Sequence, residues 1–227
     1  MTLPDQTEAA LWRGPVPVSA RFDDPYFSLA DGLAETRHVF LAGNDLPARL
    51  HDGFHIAELG FGTGLNLLAA LQLWRAAAVP GMLRFTSFEA FALPATDMQR
   101  ALSAFPELDE LARPLIAAWA QGARRITWPD CVAEVVEGDA RVTLPQWTGQ
   151  ADAWFLDGFS PAKNPELWEA PLLAHVARHT APSGTAASYS AAGHVRRALA
   201  DAGFDVTRAP GHGHKRHMTR ARLGPVR

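Results

Sequence analysis

Cysteine is nearly missing from this chain of 227 residues: Cys131 is the only one. An internal disulfide is therefore excluded, and a reducing, cytoplasmic setting is the expectation. Cys131 stands at the start of a strand-like "CVAEVVEG" and is expected to pack rather than react. No run of eighteen or more apolar residues occurs, so no membrane-spanning helix is expected. The opening "MTLPDQTEAALWRGP" lacks the basic and then apolar regions of a secretory leader. Internal repeats and low-complexity segments are also missing.

What is present is enough apolar sequence, 48% of residues, to bury a core of α/β-domain size. The net charge of −3 is unevenly spread. From Gly193 onward eight Lys/Arg face only Asp201 and Asp205, a local excess of six positive charges, while the remainder is acidic. That asymmetry suits an edge that meets a polyanion, or simply a solvated C-terminal surface.

Residues 1–50 read as an irregular N-terminal arm, with turns at Pro15, Pro17 and Pro25 and a possible short strand in "RHVFLAG". From residue 51 strands and helices alternate. "FHIAELG", "LRFTSFEA", "CVAEVVEGD", "ADAWFLDG", "GTAASYS" and "FDVTRAP" read as strands, and "HKRHMTRARL" as a final one. "LNLLAALQLWRAAA", a segment from about Pro165 to Thr180 and "AGHVRRALADAG" read as helices. Residues 94–119 read as helical stretches interrupted by Pro106 and Pro114. This alternation predicts an α/β fold with a doubly wound, mostly parallel sheet and a small N-terminal extension. Ligands in such sheets bind beyond the C-terminal strand ends. Glu58–Gly64, Glu89, Asp139 and Asp157 all fall at such ends.

"ELGFGTGLN" places Gly60, Gly62 and Gly64 in a strand-to-helix turn with G-x-G-x-G spacing, not the dinucleotide G-x-G-x-x-G. Glu58 before it and Asn66 after it sharpen the pattern toward an S-adenosylmethionine site, the helix N-terminus meeting a small carboxylate. Glu89, closing the second strand, is placed to accept both ribose hydroxyls of an adenosine. Asp139 is placed to accept an adenine amino group or to cap the helix that follows. His212, His214 and His217 invite a metal reading, but no Cys or carboxylate ligand accompanies them, so no metal is expected. Competing readings are a nicotinamide oxidoreductase, disfavoured by the glycine spacing, and a catalytically silent RNA-binding module.

The segments "PVSARFDDPYFSLADGLAETRHVFLAGNDLPARL", "ELGFGTGLN", "SFEAFAL", "WFLDGFSPAKNPELW", "SAAGHVRRALADAGF" and "GHGHKRHM" together resemble one family over about residues 12–220. It is the methyltransferase family of the MnmC tRNA wobble-uridine modification proteins, including its stand-alone members. The ending "KRHMTRARL" departs from the family at His217 and Thr219. The resemblance implies a Rossmann-like class I S-adenosylmethionine-dependent methyltransferase, with the arm over 1–50 and the methyltransferase domain over 51–227. It implies N-methylation of the 5-aminomethyl group of the wobble uridine of tRNA, and leaves a different amine as the nearest alternative.

Bifunctional members also carry a flavin-dependent oxidase domain. No second Gly-rich nucleotide motif is present here, so a separate oxidase acting upstream is the expected partner. The resemblance puts Asp157 beside the reacting amine, as an orienting acceptor that can take its proton, and Phe159 near the uracil ring. Tyr26, Phe27 and Glu35 match positions near the pocket. Lys163 is a candidate phosphate or carboxylate contact, and Arg196, Arg197, Lys215 and Arg216 are candidates for tRNA phosphates.

Overall fold

The computed structural model describes residues 10–28 and 31–225. A small antiparallel sheet comes first, formed by β1 (Leu11–Arg13), β2 (Val16–Ser19) and β3 (Asp24–Pro25). Helix α1 (Gly32–Thr36) follows, capped by the Asp31 carboxylate, which accepts from Ala34 N–H at 2.9 Å. The expected strand "RHVFLAG" is instead a π-helical turn over Arg37–Leu41 that continues α1. Val39, Phe40 and Leu41 are buried there. A short apolar run looks the same in a buried helix and a buried strand, and the Asp31 cap decides between them.

The main sheet contains β4 (His55–Leu59), β5 (Leu83–Glu89), β6 (Arg125–Trp128), β7 (Cys131–Glu137), β8 (Ala151–Leu156), β9 (Thr180–Ser188), β10 (Phe204–Pro210) and β11 (His217–Leu223). Their spatial order is β10-β11-β9-β8-β4-β5-β7-β6. Strands β7, β5, β4, β8 and β9 run parallel, while β6, β11 and β10 join antiparallel at the two edges. Strand β6, "RITW", and the small N-terminal sheet escaped the sequence reading. Both are made of two- to four-residue pieces, too short to show a period.

The helices are α2 (Leu65–Ala76), α3 (Ala95–Leu102), α4 (Asp109–Ala120), the short α5 (Ala140–Thr143), α6 (Ala170–Arg178) and α7 (Gly193–Asp201). Pro114 does not interrupt α4, which runs through it. Leu111, Leu115 and Trp119 recur every four residues on the buried face, and that burial outweighs one lost backbone bond on the exposed side. Pro165 opens a 3₁₀ turn (Pro165–Trp168) rather than a long helix, and α6 starts only at Ala170.

Helices cover both faces of the sheet, and the period of two along each strand feeds two cores. Ala153 and Phe155 of β8 pack with α2 and α4, while Trp154 and Leu156 pack with α6 and α7. This double burial explains the continuous apolar run at 153–156. It stops at Asp157 because the strand there leaves the core. Strand β4 lies between β5 and β8, so the chain departs from it in opposite directions on its two sides. The crevice above the ends of β4 and β8 is thus the topological switch point, where such sheets bind ligands.

Candidate active site

Gly60 and Asp157 meet at that switch point. Asp157 N–H donates to Leu59 O at 3.1 Å, and Gly60 N–H to Phe88 O at 2.9 Å. Gly60 has φ +89°, and a Cβ there would collide with the Asp157 carbonyl oxygen. Glycine is required at 60 because two strand ends cross over each other without room for a side chain.

The turn after β4 is held by the acid that ends β5. Glu89 Oε2 accepts from Phe61 N–H at 2.9 Å and Gly62 N–H at 3.0 Å, and Oε1 accepts from Phe91 N–H at 2.7 Å. Burial raises the Glu89 pKa, and these backbone donors oppose the shift. Both lone pairs of Oε2 are thereby used, so the carboxylate cannot offer both oxygens to a ribose.

Asp139 caps α5, accepting from Arg141 N–H at 2.9 Å, and its carboxylate also takes the Arg141 guanidinium. That guanidinium holds its pKa below the usual carboxylate range. The structure therefore gives Asp139 the capping role, with Arg141 already on the oxygens that an adenine amino group would need.

Beneath the turn lies a buried polar cluster. Asn66, in the first turn of α2, donates to Glu58 Oε1 at 2.8 Å and to Asp157 Oδ2 at 2.6 Å. Its own carbonyl accepts from Thr36 Oγ1 at 2.8 Å, and Ser87 Oγ donates to Glu58 Oε2 at 2.7 Å. Glu58 is wholly buried, and desolvation pushes its pKa well above 4.5. Desolvation likewise raises Asp157 from 3.8 to about 7, against the pull of Asn66 and Lys215. Asn66 thus fixes the orientation of Asp157, which unlike Glu58 lines the cavity.

That cavity, of about 1530 Å³, spans the ends of β4, β5 and β8. A single drug-sized ligand occupies about 300–1,000 Å³, so two ligands fit side by side. One part is lined by the glycine turn, Glu89 and Asp139; the other by Phe22, Tyr26, Phe159 and Tyr189. Phe159 lies 4.9 Å from Phe22 and 5.1 Å, edge-on, from Tyr26, so a planar ring system would enter an aromatic wall. Phe27 also lines the cavity and packs edge-on against Phe105 at 5.2 Å. Lys163 binds the Asp23 carbonyl oxygen and stands 3.5 Å from the Asp24 carboxylate, so its carboxylate partners belong to the protein itself.

Of the cationic candidates, Arg197 and Arg216 are exposed, and Arg196 reaches Ala191 O at 3.3 Å. Lys215 pairs instead with Glu35 at 2.8 Å. Among the described residues no group of three or more His, Cys, Asp or Glu could hold a metal, and no helix is long and apolar enough to cross a membrane. Tyr189 and Phe22 were missed in the sequence. "SYS" ends a strand just as "LDG" does, so strand-end position pointed to Tyr189, whereas nothing local marks Phe22.

The fold and this crevice define a Rossmann-like class I methyltransferase. A profile described as S-adenosyl-L-methionine-dependent methyltransferase matches residues 106–224, and the chain belongs to that family. It is 47% identical over 225 residues to the tRNA 5-methylaminomethyl-2-thiouridine biosynthesis bifunctional protein MnmC of Caulobacter sp. (strain K31), covering 93% of this chain and 37% of that one. To the MnmC protein of Stutzerimonas stutzeri (strain A1501) it is 45% identical over 219 residues, covering 92% and 33%. The chain thus spans about a third of the length of these curated relatives. The crystal structure of MNMC2 from Aquifex aeolicus superposes with a TM-score of 0.76 at 26% identity, covering 99% of this chain and 74% of that one.

The residues present fit S-adenosylmethionine. The glycine turn leaves open a cradle beside Tyr26, whose ring would lie 3.1 Å from a Cβ at Gly62. The Glu89 carboxylate lines the same space. The absence of a side chain at 62 keeps the cradle open, while glycine at 60 lets the two strand ends close beneath it.

Proposed function

We propose that this protein methylates the 5-aminomethyl group of the wobble uridine of tRNA. The observation that carries the reading is the Asp157 carboxylate, held by Asn66 between the glycine cradle and the aromatic wall. The names of the relatives supply the substrate: a 5-methylaminomethyl-2-thiouridine is the product of adding one methyl to the aminomethyl form.

When bound, S-adenosylmethionine supplies an electrophilic methyl on sulfur. The Glu89 carboxylate and the turn at Gly60–Gly64 would hold it at the ends of β4 and β5. Phe159, Phe22 and Tyr26 receive the uracil ring by stacking and edge contacts. Asp157 accepts a hydrogen bond from the amine and aims its lone pair at the methyl, an alignment that needs about 3–3.5 Å between reacting atoms. With S-adenosylmethionine bound, the amine lone pair would take the methyl as the C–S pair stays on sulfur, and Asp157 would accept one N–H proton.

The amine must arrive neutral. For an ordinary alkylamine near ~10.4, neutralisation at pH 7 costs about 4–5 kcal/mol. An electron-poor pyrimidine and a desolvated pocket both reduce that cost. A carboxyl group with a pKa of about 7 is matched to proton acceptance at neutral pH, where a strongly acidic one would be a poor base.

Arg196, Arg197 and Arg216 are the proposed phosphate contacts, positioning the RNA without reading its sequence. Residues 10–50 act as an arm that completes the substrate wall of a core from residue 51 onward. A primary aminomethyl group requires an upstream reaction that exposes it, and a separate flavin-dependent oxidase is the proposed source. Such a pair would work in the cytoplasm, where tRNA is.

The test is nucleoside mass spectrometry of tRNA bearing the aminomethyl wobble uridine, incubated with labelled S-adenosylmethionine and either wild type or Asp157→Ala. The expected result is a one-methyl gain on that nucleoside, reduced about 10²–10⁴-fold in the variant. No gain despite intact S-adenosylmethionine binding would transfer the site to a different amine.

A further inference from the structure

The turn joining β10 to β11 reaches into the cavity beside Asp157. It is a tight hairpin, with Gly211 N–H donating to Arg216 O at 3.2 Å and Lys215 N–H to His212 O at 3.0 Å. From it the Lys215 ammonium lies 2.8 Å from Glu35 Oε1 and 4.0 Å above the centre of the Tyr189 ring. Glu35 belongs to α1, with its side chain 12% exposed. Tyr189 follows β9, and its hydroxyl donates to Gly158 O at 2.7 Å, on the residue next to Asp157. Three segments far apart in sequence therefore fix one ammonium in a defined place on the wall that carries Asp157. An ion pair and a cation–π contact both act on it.

A lysine held in this way is poorly suited to grip RNA phosphate. Its charge is already matched, and the partner that matches it would repel a phosphate. Arg216, one residue on, is exposed and lies outside this cage. The titratable groups around Asp157 come from every side: Glu35 from α1, Glu58 across Asn66, the neutral Tyr189 from the end of β9, and Lys215 from the turn. Farther along the cavity wall stand Asp24 with Lys163, then His212 and His214. The ionised carboxylates, Glu35 first among them, favour a protonated Asp157 and a protonated amine. Lys215 opposes them.

We propose that Lys215, pinned by Glu35 over the Tyr189 ring, is a positioning charge that keeps the Asp157 carboxylate ionised and the incoming primary amine neutral. This rests on the amine-methylation reading of the site. Both effects favour the reactive pair, because the nucleophile needs its lone pair and the acceptor needs room for a proton. Loss of the charge moves both groups the same way, toward reactivity only at higher pH.

The experiment compares wild type, Lys215→Met and Lys215→Arg by the pH profile of kcat/KM on aminomethyl-bearing tRNA. Alongside it, the Asp157 carboxyl is titrated by carbon-detected NMR in protein without S-adenosylmethionine, with Asp157→Asn for assignment. In Lys215→Met the acidic limb is expected to move up by about one pH unit. Activity then falls about tenfold below the limb and little above it. The Asp157 titration should move in the same direction, and Lys215→Arg should restore both. Lys215→Gln serves if methionine disturbs the turn.

A loss equal at every pH, through KM alone and with the Asp157 titration unmoved, would make Lys215 an RNA contact and overturn the proposal. Wild type that leaves aminomethyl tRNA unmethylated would instead overturn the function proposed above. The carboxyl titration would still decide whether Lys215 governs Asp157.

Discussion

The two walls of the cavity are built by opposite means. The cofactor wall is assembled from strand ends and the turns that immediately follow them: Gly60–Gly64 after β4 and Glu89 at the end of β5, clasped by the hydrogen bonds from Phe61 and Gly62. The substrate wall draws on Phe22 and Tyr26 of the arm, Glu35 of α1, Phe159 after β8, Tyr189 after β9 and Lys215 of the last hairpin. The first is rigid because backbone meets backbone. The second is held by side chains meeting across long stretches of sequence, so it can be altered without disturbing the fold.

The largest effect that would break this contrast is at Gly60. Gly60→Ala combines a positive φ with a backbone collision and is expected to cost about 4 kcal/mol or more of stability. Gly122→Ala is the control: φ is +80°, but nothing lies within 4 Å, so only backbone strain of about 1 kcal/mol applies. Denaturant unfolding of both would measure the difference. Equal losses would show that close approach of the two strands is not what demands glycine at 60.

Asn66→Leu comes next. It removes the donor shared by Glu58 and Asp157 and leaves buried acceptors without a partner, an expected loss of about 3 kcal/mol. Because Asn66 joins the cofactor wall to the catalytic carboxylate, methyl transfer should fall further than stability alone explains. Calorimetry with single-turnover rates on the folded fraction separates the two.

On the substrate wall, Phe159→Ala is expected to weaken substrate binding by about 2 kcal/mol while S-adenosylmethionine affinity stays within twofold. Isothermal titration with each ligand reads this. A matching loss of S-adenosylmethionine affinity would mean that the walls are not independent.

The same contrast explains what could be read in the sequence. Strand-end logic found Glu58, Glu89, Asp139 and Asp157 because each follows an apolar run whose direction the parallel sheet fixes. It could not foresee that Glu89 spends Oε2 on the turn, since that depends on where two backbone N–H groups point. Phe22 and the Glu35–Lys215 pair carry no local signature: their partners lie 137 and 180 residues away. "RHVFLAG" misled for the related reason that burial from outside, not its own period, makes it apolar.

The smallest expected effect tests Asp157 through stability. Its folded pKa of about 7 lies above the ordinary 3.8, so folding favours the protonated form. The stabilisation is complete below about pH 4 and is lost as pH rises through 7. The full shift corresponds to about 4 kcal/mol. Asp157 opens to cavity water, which screens its charge, so about 1–2 kcal/mol is the expected difference. Glu89 shifts in the same direction and cancels in the comparison, whereas Glu58, raised in part by the Asp157 charge, adds to the difference with the same sign. Wild type should therefore lose more stability than Asp157→Asn between pH 4 and 8. Asp130, drawn below its ordinary pKa by Arg75 at the opposite end of the sheet, should show the reverse sign, losing stability as pH falls. Melting curves for Asp157→Asn across pH 4–8 and for Asp130→Asn from about pH 5 down to about 2 would separate the carboxylate proposed to take a proton from one held ionised by an ion pair.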